Sequence, residues 1–104
     1  MDENFKSWLI REEGKLEITG YSYSRAIHKL SEHYSQYTGR PTDIHAKDLK
    51  EVEKIKNCYE SDGRFSEMGH QSHGLYRAAI KAFYRYKLLH PKPLLLIGNP
   101  ISKG

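Results

Sequence analysis

The sequence predicts an all-α fold, a single compact four-helix bundle that is followed by an extended C-terminal tail. Apolar residues recur at helical spacing in four separate stretches, glycine or proline residues lie between those stretches, and the alternation typical of strands is almost absent. With 104 residues, the chain supports one domain with a small core. We therefore expect a helical domain over residues 1–90 and an extended tail over residues 91–104.

The first two predicted helices are separated by Gly14, which can adopt the left-handed conformation that ends a helix. The first helix is expected over residues 4–13 and the second over residues 19–39. Both have large side chains at steps of three and four residues: Phe5, Trp8 and Leu9 in the first helix, and Tyr23, Ile27, Leu30, Tyr34 and Tyr37 in the second. The second helix therefore has a tyrosine-rich inner face.

The last two predicted helices are joined by a polar stretch, residues 62–74, which contains three glycines. The third helix is expected after Asp48 and the fourth over residues 72–89. Their apolar residues again follow helical spacing: Leu49, Val52, Ile55 and Tyr59 in the third helix, and Tyr76, Ala79, Ile80 and Phe83 in the fourth. We expect the polar stretch to be an ordered loop that Phe65 and Met68 hold in place.

Charge is distributed unevenly along the chain, whose formal net charge is +4. Residues 64–104 contain seven of the seventeen basic residues but only one of the thirteen acidic residues, Glu67. If the protein binds a polyanion, the C-terminal part of the chain is therefore where the contact is expected.

Composition also bears on the location of the protein. Cys58 is the only cysteine and forms no intramolecular disulfide, and no apolar segment near Met1 is typical of a secretion signal. The most apolar run covers residues 94–97, whereas a transmembrane helix needs about 20 residues. We therefore expect a soluble cytoplasmic protein without a membrane segment.

Basic residues on the fourth helix form the best candidate binding site. Arg77, Lys81 and Arg85 follow each other at intervals of four residues, which places three cations along one side of a helix, at a spacing that can reach successive DNA phosphates. Arginine can also donate two hydrogen bonds to guanine. Four further residues could assist the contact: Arg25, Lys29, Tyr84 and Lys87. The alternative is an ordinary solvated face, because any exposed helix needs charged residues.

Other motifs give no candidate for catalysis or metal binding. His70 and His73 have a spacing found in metal sites, but two histidines without further ligands nearby are too few for zinc. Asp48 and Lys50 are similar to part of a nuclease motif, yet Asp48 is expected to begin a helix. No glycine-rich phosphate loop follows a strand, and no nucleophile has a base and an orienting group beside it. We expect no catalytic residue, no metal and no cofactor.

Two segments resemble the N-terminal core-binding, SAM-like domain of tyrosine recombinases, the phage integrases. Residues 19–30, TGYSYSRAIHKL, are similar to the helix that opens this domain, and residues 75–86, LYRAAIKAFYRY, are similar to its last helix. The part between them, from Asp43 to Phe65, resembles a helical module found ahead of nuclease or ATPase domains in some bacterial restriction proteins. The resemblance covers roughly residues 5–88.

This resemblance implies a four-helix clamp that sits on one face of duplex DNA and positions a separate catalytic domain. No downstream stretch could hold the Arg, His, Arg and Tyr residues of such a second domain, so we do not expect strand cleavage. The sequence hypothesis is therefore a non-catalytic accessory or regulatory DNA-binding protein, encoded by a phage, an integron or another mobile element.

Two further expectations concern protein partners. A surface of this size gives weak, salt-sensitive DNA binding as a monomer, so we expect a homodimer that forms through the apolar part of the tail. That part consists of Leu94, Leu95, Leu96 and Ile97. The alternative function is a protein interaction module, which would present this tail together with the tyrosines that we expect to be exposed, Tyr21, Tyr37, Tyr84 and Tyr86.

Overall fold

The structure, a computed structural model, describes residues 3–90, which form four α-helices and one short 3-10 helix. The helices are α1 (Glu3–Arg11), α2 (Glu17–Thr38), α3 (Leu49–Cys58) and α4 (Ser66–Leu89), and the 3-10 helix covers Ile44–Ala46. The predicted all-α four-helix bundle is confirmed, and residues 3–90 contain no strand. The predicted tail, with the dimer contact expected at Leu94, Leu95, Leu96 and Ile97, lies outside the described residues.

Helices α2 and α4 form the centre of the bundle and run antiparallel. Tyr37, near the end of α2, packs against Phe65, just before α4, with 4.7 Å between the ring centroids. Tyr23, near the start of α2, lies beside Arg85, near the end of α4. Helix α1 contacts both of them, and α3 packs against α4. The buried core consists of Phe5, Trp8, Leu9, Ala26, Ile27, Leu30, Ile44, Val52, Ile55, Tyr59, Phe65, Ala79, Ile80, Ala82 and Phe83.

Two of the four tyrosines that we expect to be exposed are more buried than the sequence predicts. Tyr59 is fully buried, and the other tyrosines expected on inner faces, Tyr23, Tyr34 and Tyr76, are partly buried against the core. Tyr21 and Tyr37 are exposed, as expected. The expectation that Tyr84 and Tyr86 are exposed is wrong, because the Tyr86 ring packs against Phe5 and Trp8 and Tyr84 packs against the core. The exposed tyrosines of the interaction-module alternative are therefore reduced to two.

Residues with special backbone requirements end or begin the helices where the sequence predicts. Gly14 follows α1 with φ of 67°, and Gly39 ends α2 with φ of 73°, both in the left-handed region that favours glycine. The carboxylate of Asp48 accepts a hydrogen bond of 2.9 Å from the backbone N–H of Glu51 and so caps α3. These signals are local, which explains why they are readable from the sequence.

Two serines on α2 hold the segment that leads to α3. The hydroxyl of Ser31 accepts a hydrogen bond of 2.9 Å from the N–H of Ile44, and the hydroxyl of Ser35 accepts one of 2.8 Å from the N–H of Thr42. Both hydroxyls also donate to backbone carbonyls of α2, one turn earlier. The backbone N–H groups of Thr42 and Ile44 are thereby satisfied by serine side chains and not by a helix or a sheet. These contacts hold the segment against α2, with Ile44 in the core.

The start of α4 differs from the prediction. Residues 66–70 are already helical, whereas the sequence predicts a loop up to residue 74 and a helix from residue 72. The break comes later, at residues 71–74, where Ser72, His73 and Gly74 have φ values of 54°, 59° and 82°. Phe65 is buried and Met68 partly buried, so both pin this stretch as expected. Their packing gives residues 66–70 a helical turn despite the glycine-rich composition.

The backbones of the α3–α4 junction approach each other at two glycines. A methyl group added at Gly69 would overlap the carbonyl oxygen of Tyr59, and one added at Gly63 would overlap the carbonyl oxygens of Asn57 and Cys58. Neither glycine has a positive φ, so close packing rather than backbone conformation requires the missing side chain. This junction therefore tolerates no other residue without a backbone shift.

We predict that Gly69→Ala lowers the free energy of unfolding by about 2 kcal/mol or more, because backbone must move to admit the methyl group. The control is Gly39→Ala, where the methyl group meets no atom within 4 Å and only the left-handed backbone opposes it. That variant should lose about 1 kcal/mol. Urea unfolding followed by circular dichroism measures both, and equal losses would contradict the close approach.

Candidate nucleic-acid interface

Arg77 belongs to the packing of the α3–α4 junction rather than to an open basic face. Its Nε donates a hydrogen bond of 2.9 Å to the carbonyl oxygen of Tyr59, and its Nη2 donates one of 3.1 Å to the carbonyl oxygen of Ser66. The side chain is partly buried. The sequence places Arg77 correctly on the helix, but its spacing from Lys81 and Arg85 gives no sign that two of its donors are engaged with backbone.

Arg85 is exposed but holds an acidic partner from the turn between α1 and α2. Its Nη2 lies 2.8 Å from Oε1 of Glu13, and its Nε lies 3.0 Å from Oε2, so both carboxylate oxygens are engaged. This hydrogen-bonded pair lowers the pKa of Glu13 and raises the pKa of Arg85. The pair ties α4 to α1, and a phosphate would have to compete with the carboxylate for the guanidinium.

Three of the four remaining basic candidates on these helices are open to solvent. Arg25 and Lys29 lie on the outer side of α2, and Lys81 lies on the outer side of α4. None of the three forms an ion pair within residues 3–90. We call Arg25, Lys29 and Lys81 together the open basic surface, a name that refers to their shared exposure on two helices that pack against each other.

The last two candidates, Lys87 and Tyr84, are partly buried. The ammonium group of Lys87 lies 5.7 Å from the centroid of the Phe83 ring. Tyr84 is covered from α3 by Lys56, whose ammonium group lies 5.2 Å from the centroid of the tyrosine ring. Both residues therefore contribute to packing around α4, and neither belongs to the open basic surface.

A recess that the sequence does not predict lies between the end of α2 and the α3–α4 junction. It has a volume of about 470 Å³, and His33, Tyr37, Arg64, Phe65, Glu67 and Gln71 are among its lining residues. Tyr37 is 65% exposed, whereas Phe65 is buried beneath it. Lys29, His33 and Tyr37 follow each other at four-residue intervals on α2, so the recess continues the open basic surface along the helix.

The back of the recess is fixed by a hydrogen bond between His33 and Tyr59. Nδ1 of His33 lies 2.8 Å from the hydroxyl oxygen of Tyr59. Burial lowers the pKa of His33 and raises the pKa of Tyr59, so both groups are neutral near neutral pH. The rings of Tyr37 and Phe65 pack against His33 at centroid distances of 4.8 Å and 5.1 Å. These contacts hold the imidazole in one orientation.

A wider groove of about 1020 Å³ lies on the other side of α2, against residues 39–45. The hydroxyls of Ser31 and Ser35, which line it, already bind the backbone of the facing segment. His28 lies within 3.5 Å of the Glu32 carboxylate. Four of the polar side chains that line the groove, His28, Ser31, Glu32 and Ser35, are therefore already engaged within the bundle.

Two findings concern metal binding and membrane spanning. No three His, Cys, Asp or Glu side chains within residues 3–90 are close enough to hold a metal ion. His70, just before the break in α4, and His73, within it, are both exposed. Within the same range, no helix has the length and apolar character needed to cross a bilayer.

No protein-family model matches the chain, and no curated protein or solved structure is significantly similar to it. The resemblance to the core-binding domain of tyrosine recombinases therefore stays a hypothesis.

We predict that Arg77→Met lowers the free energy of unfolding by about 1–3 kcal/mol, because two backbone carbonyls lose their charged donor. Lys81→Met, on the solvent side of the same helix, should change it by less than about 0.5 kcal/mol. Urea unfolding distinguishes the two variants. If Arg77→Met is as stable as the Lys81 variant, Arg77 is not a structural residue.

We predict that the free energy of unfolding decreases as the pH falls from about 7.5 to about 5.5. His33 has a lowered pKa in the folded protein, so below its unfolded value of about 6.5 the unfolded chain binds the proton more readily. His33→Gln should remove most of this pH dependence, whereas the exposed control His70→Gln should retain it. Urea unfolding across this pH range measures the slope, and a pH-independent stability of the unmodified protein would contradict the prediction.

Proposed function

We propose that the chain is a non-catalytic DNA-binding domain that contacts duplex phosphates through the open basic surface. One observation supports this function above others: Arg25, Lys29 and Lys81 are exposed on adjoining helices, and none of them has an ion-pair partner within residues 3–90. A cation without a carboxylate partner can exchange its counterions for phosphates at little cost. Engaged cations, in contrast, must first give up an existing contact.

The proposed contact is therefore smaller than the set of basic residues that the sequence singles out. Arg85 can join this contact at high DNA concentration, when its guanidinium exchanges the Glu13 carboxylate for a phosphate. Arg77 acts only by holding the start of α4 in place. A contact of few lysines and arginines gives weak, sequence-independent and strongly salt-dependent binding.

Other parts of the proposal rest on composition and on the sequence resemblance alone. These are the accessory or regulatory role, the cytoplasmic location and the origin in a mobile element. Dimer formation through residues 94–97 likewise rests on composition. A second copy would double the number of phosphate contacts.

We predict that the protein binds a labelled random-sequence DNA duplex and that the logarithm of the binding constant falls linearly with the logarithm of the salt concentration. The variant Lys29→Gln/Lys81→Gln should bind more weakly and should reduce this slope by about two, one for each lost phosphate contact. Fluorescence anisotropy at several salt concentrations gives both quantities.

The matched control is Lys50→Gln/Lys54→Gln, which removes the same charge from exposed positions of α3. This control should retain most of the slope of the unmodified protein. Equal effects of the two double variants would show that only net charge matters, and the absence of binding at low salt would refute the proposal.

The second candidate function, a protein interaction module, is favoured by exposed aliphatic residues. Leu16 and Ile18, between α1 and the first turn of α2, are 72% and 71% exposed, and Leu88 and Leu89 are exposed at the end of α4. Exposed aliphatic residues of this kind are candidates for contact with another protein. The charge variants would leave such a contact unchanged, so the same binding series separates the two functions.

A further inference from the structure

We infer that the recess between α2 and the α3–α4 junction is a binding site for the base of a nucleotide. Its volume of about 470 Å³ is within the range of small-molecule sites. The recess combines an exposed aromatic ring, a buried aromatic floor and several polar side chains, which is the composition that recognises a planar heteroaromatic ring.

The aromatic part of the recess is rigid and presents a free ring face. Tyr37 packs at 4.7 Å from Phe65 and at 4.8 Å from His33, measured between ring centroids, yet it is 65% exposed. A base that stacks on the exposed part of this ring would gain buried area and π contacts. Because the rings of His33 and Phe65 hold Tyr37, little conformational freedom is lost when a ligand stacks on it.

The polar part of the recess fits the edge of a base. Glu67 can accept hydrogen bonds from an exocyclic amino group, and the amide of Gln71 can both donate and accept. Where the hydroxyl of Tyr59 donates to Nδ1 of His33, Nε2 carries the remaining proton and is a donor. The recess therefore has both donors and acceptors, as adenine, cytosine and guanine require.

The charged part of the recess favours a ligand with a phosphate over a cation. The guanidinium of Arg64 lies 5.2 Å from the centroid of the Phe65 ring, so a cation already lies over that ring. Arg64 is exposed, and its remaining donors are available to a phosphate. The carboxylate of Glu67 repels any anion, including the phosphate of a nucleotide. Contacts to the base must therefore offset this repulsion.

The choice of a nucleotide as the class of ligand rests on the proposed function. The recess follows the open basic surface along α2, through Lys29, His33 and Tyr37. Two sources supply the same chemistry. One is a free nucleotide, and the other is an unstacked base at the end of a nucleic-acid strand whose phosphates follow the basic residues.

The experiment is a titration of the isotope-labelled chain, followed through its amide NMR resonances. We expect AMP to shift the resonances of residues 33, 37, 65 and 71, whereas ribose 5-phosphate, which lacks the base, should leave them unchanged. No shift with AMP or with a single-stranded pentanucleotide would overturn the proposal. Equal shifts with ribose 5-phosphate, or tighter binding of choline than of AMP, would overturn it as well.

Variants of Tyr37 test the stacking. Tyr37→Leu should weaken AMP binding by about tenfold or more, and Tyr37→Phe should retain it, because only the second variant keeps the ring. Tyr21→Leu, at an exposed tyrosine of the same helix outside the recess, is the matched control and should bind as the unmodified protein does. Similar binding by Tyr37→Leu and the unmodified protein would overturn the role of the ring.

The two sources of the base are separated by affinity. Tighter binding of the pentanucleotide than of AMP assigns the site to a strand, and the reverse assigns it to a free nucleotide; shifts at the recess support the proposal in both cases. Failure here is distinct from failure of the duplex contact, because AMP binding needs neither Lys29 nor Lys81. Duplex binding without AMP binding overturns only the base site, and AMP binding without duplex binding refutes only the duplex contact.

Discussion

The α3–α4 junction at Tyr59 is the constraint on which the rest of the structure depends. The Tyr59 carbonyl oxygen accepts a hydrogen bond from Arg77 of α4, and the absence of a side chain at Gly69 lets the two backbones meet. The Tyr59 ring is fully buried, and its hydroxyl reaches His33 of α2. One residue thereby connects three helices, and a shift of this junction would displace both the core and the floor of the recess.

The contacts of the two engaged arginines decide which cations remain open to a ligand. A guanidinium has several donors in one plane, so it is well suited to bridge backbone carbonyls or to grip a carboxylate, as Arg77 and Arg85 do. A lysine has a compact charge on a flexible stem and stays in solvent, as Lys29 and Lys81 do. Among the basic candidates, Arg77 and Arg85 therefore stabilise the bundle, whereas Arg25, Lys29 and Lys81 remain open to a polyanion.

Local signals made most of the fold predictable from the sequence, whereas contacts between residues that are distant in the sequence could not be predicted. Helical periodicity, the left-handed glycines and the Asp48 cap each act within a few residues. The helices lie close to the positions that these signals predict. The partners of Arg85 and Tyr59 are 72 and 26 residues away, so no spacing rule could reveal them. The recess was missed for the same reason, although His33 and Tyr37 follow Lys29 at four-residue intervals.

The open basic surface and the recess have opposite physical characters, and the two proposals give them different roles. Lysines on flexible stems contact phosphates of any sequence, so they contribute affinity and little selectivity. The recess is held by the aromatic contacts of Phe65 and the hydrogen bond to Tyr59, and a preorganised site loses less entropy on binding. Because base contacts discriminate where phosphate contacts do not, any selectivity of this chain within residues 3–90 should arise at Tyr37 and its neighbours.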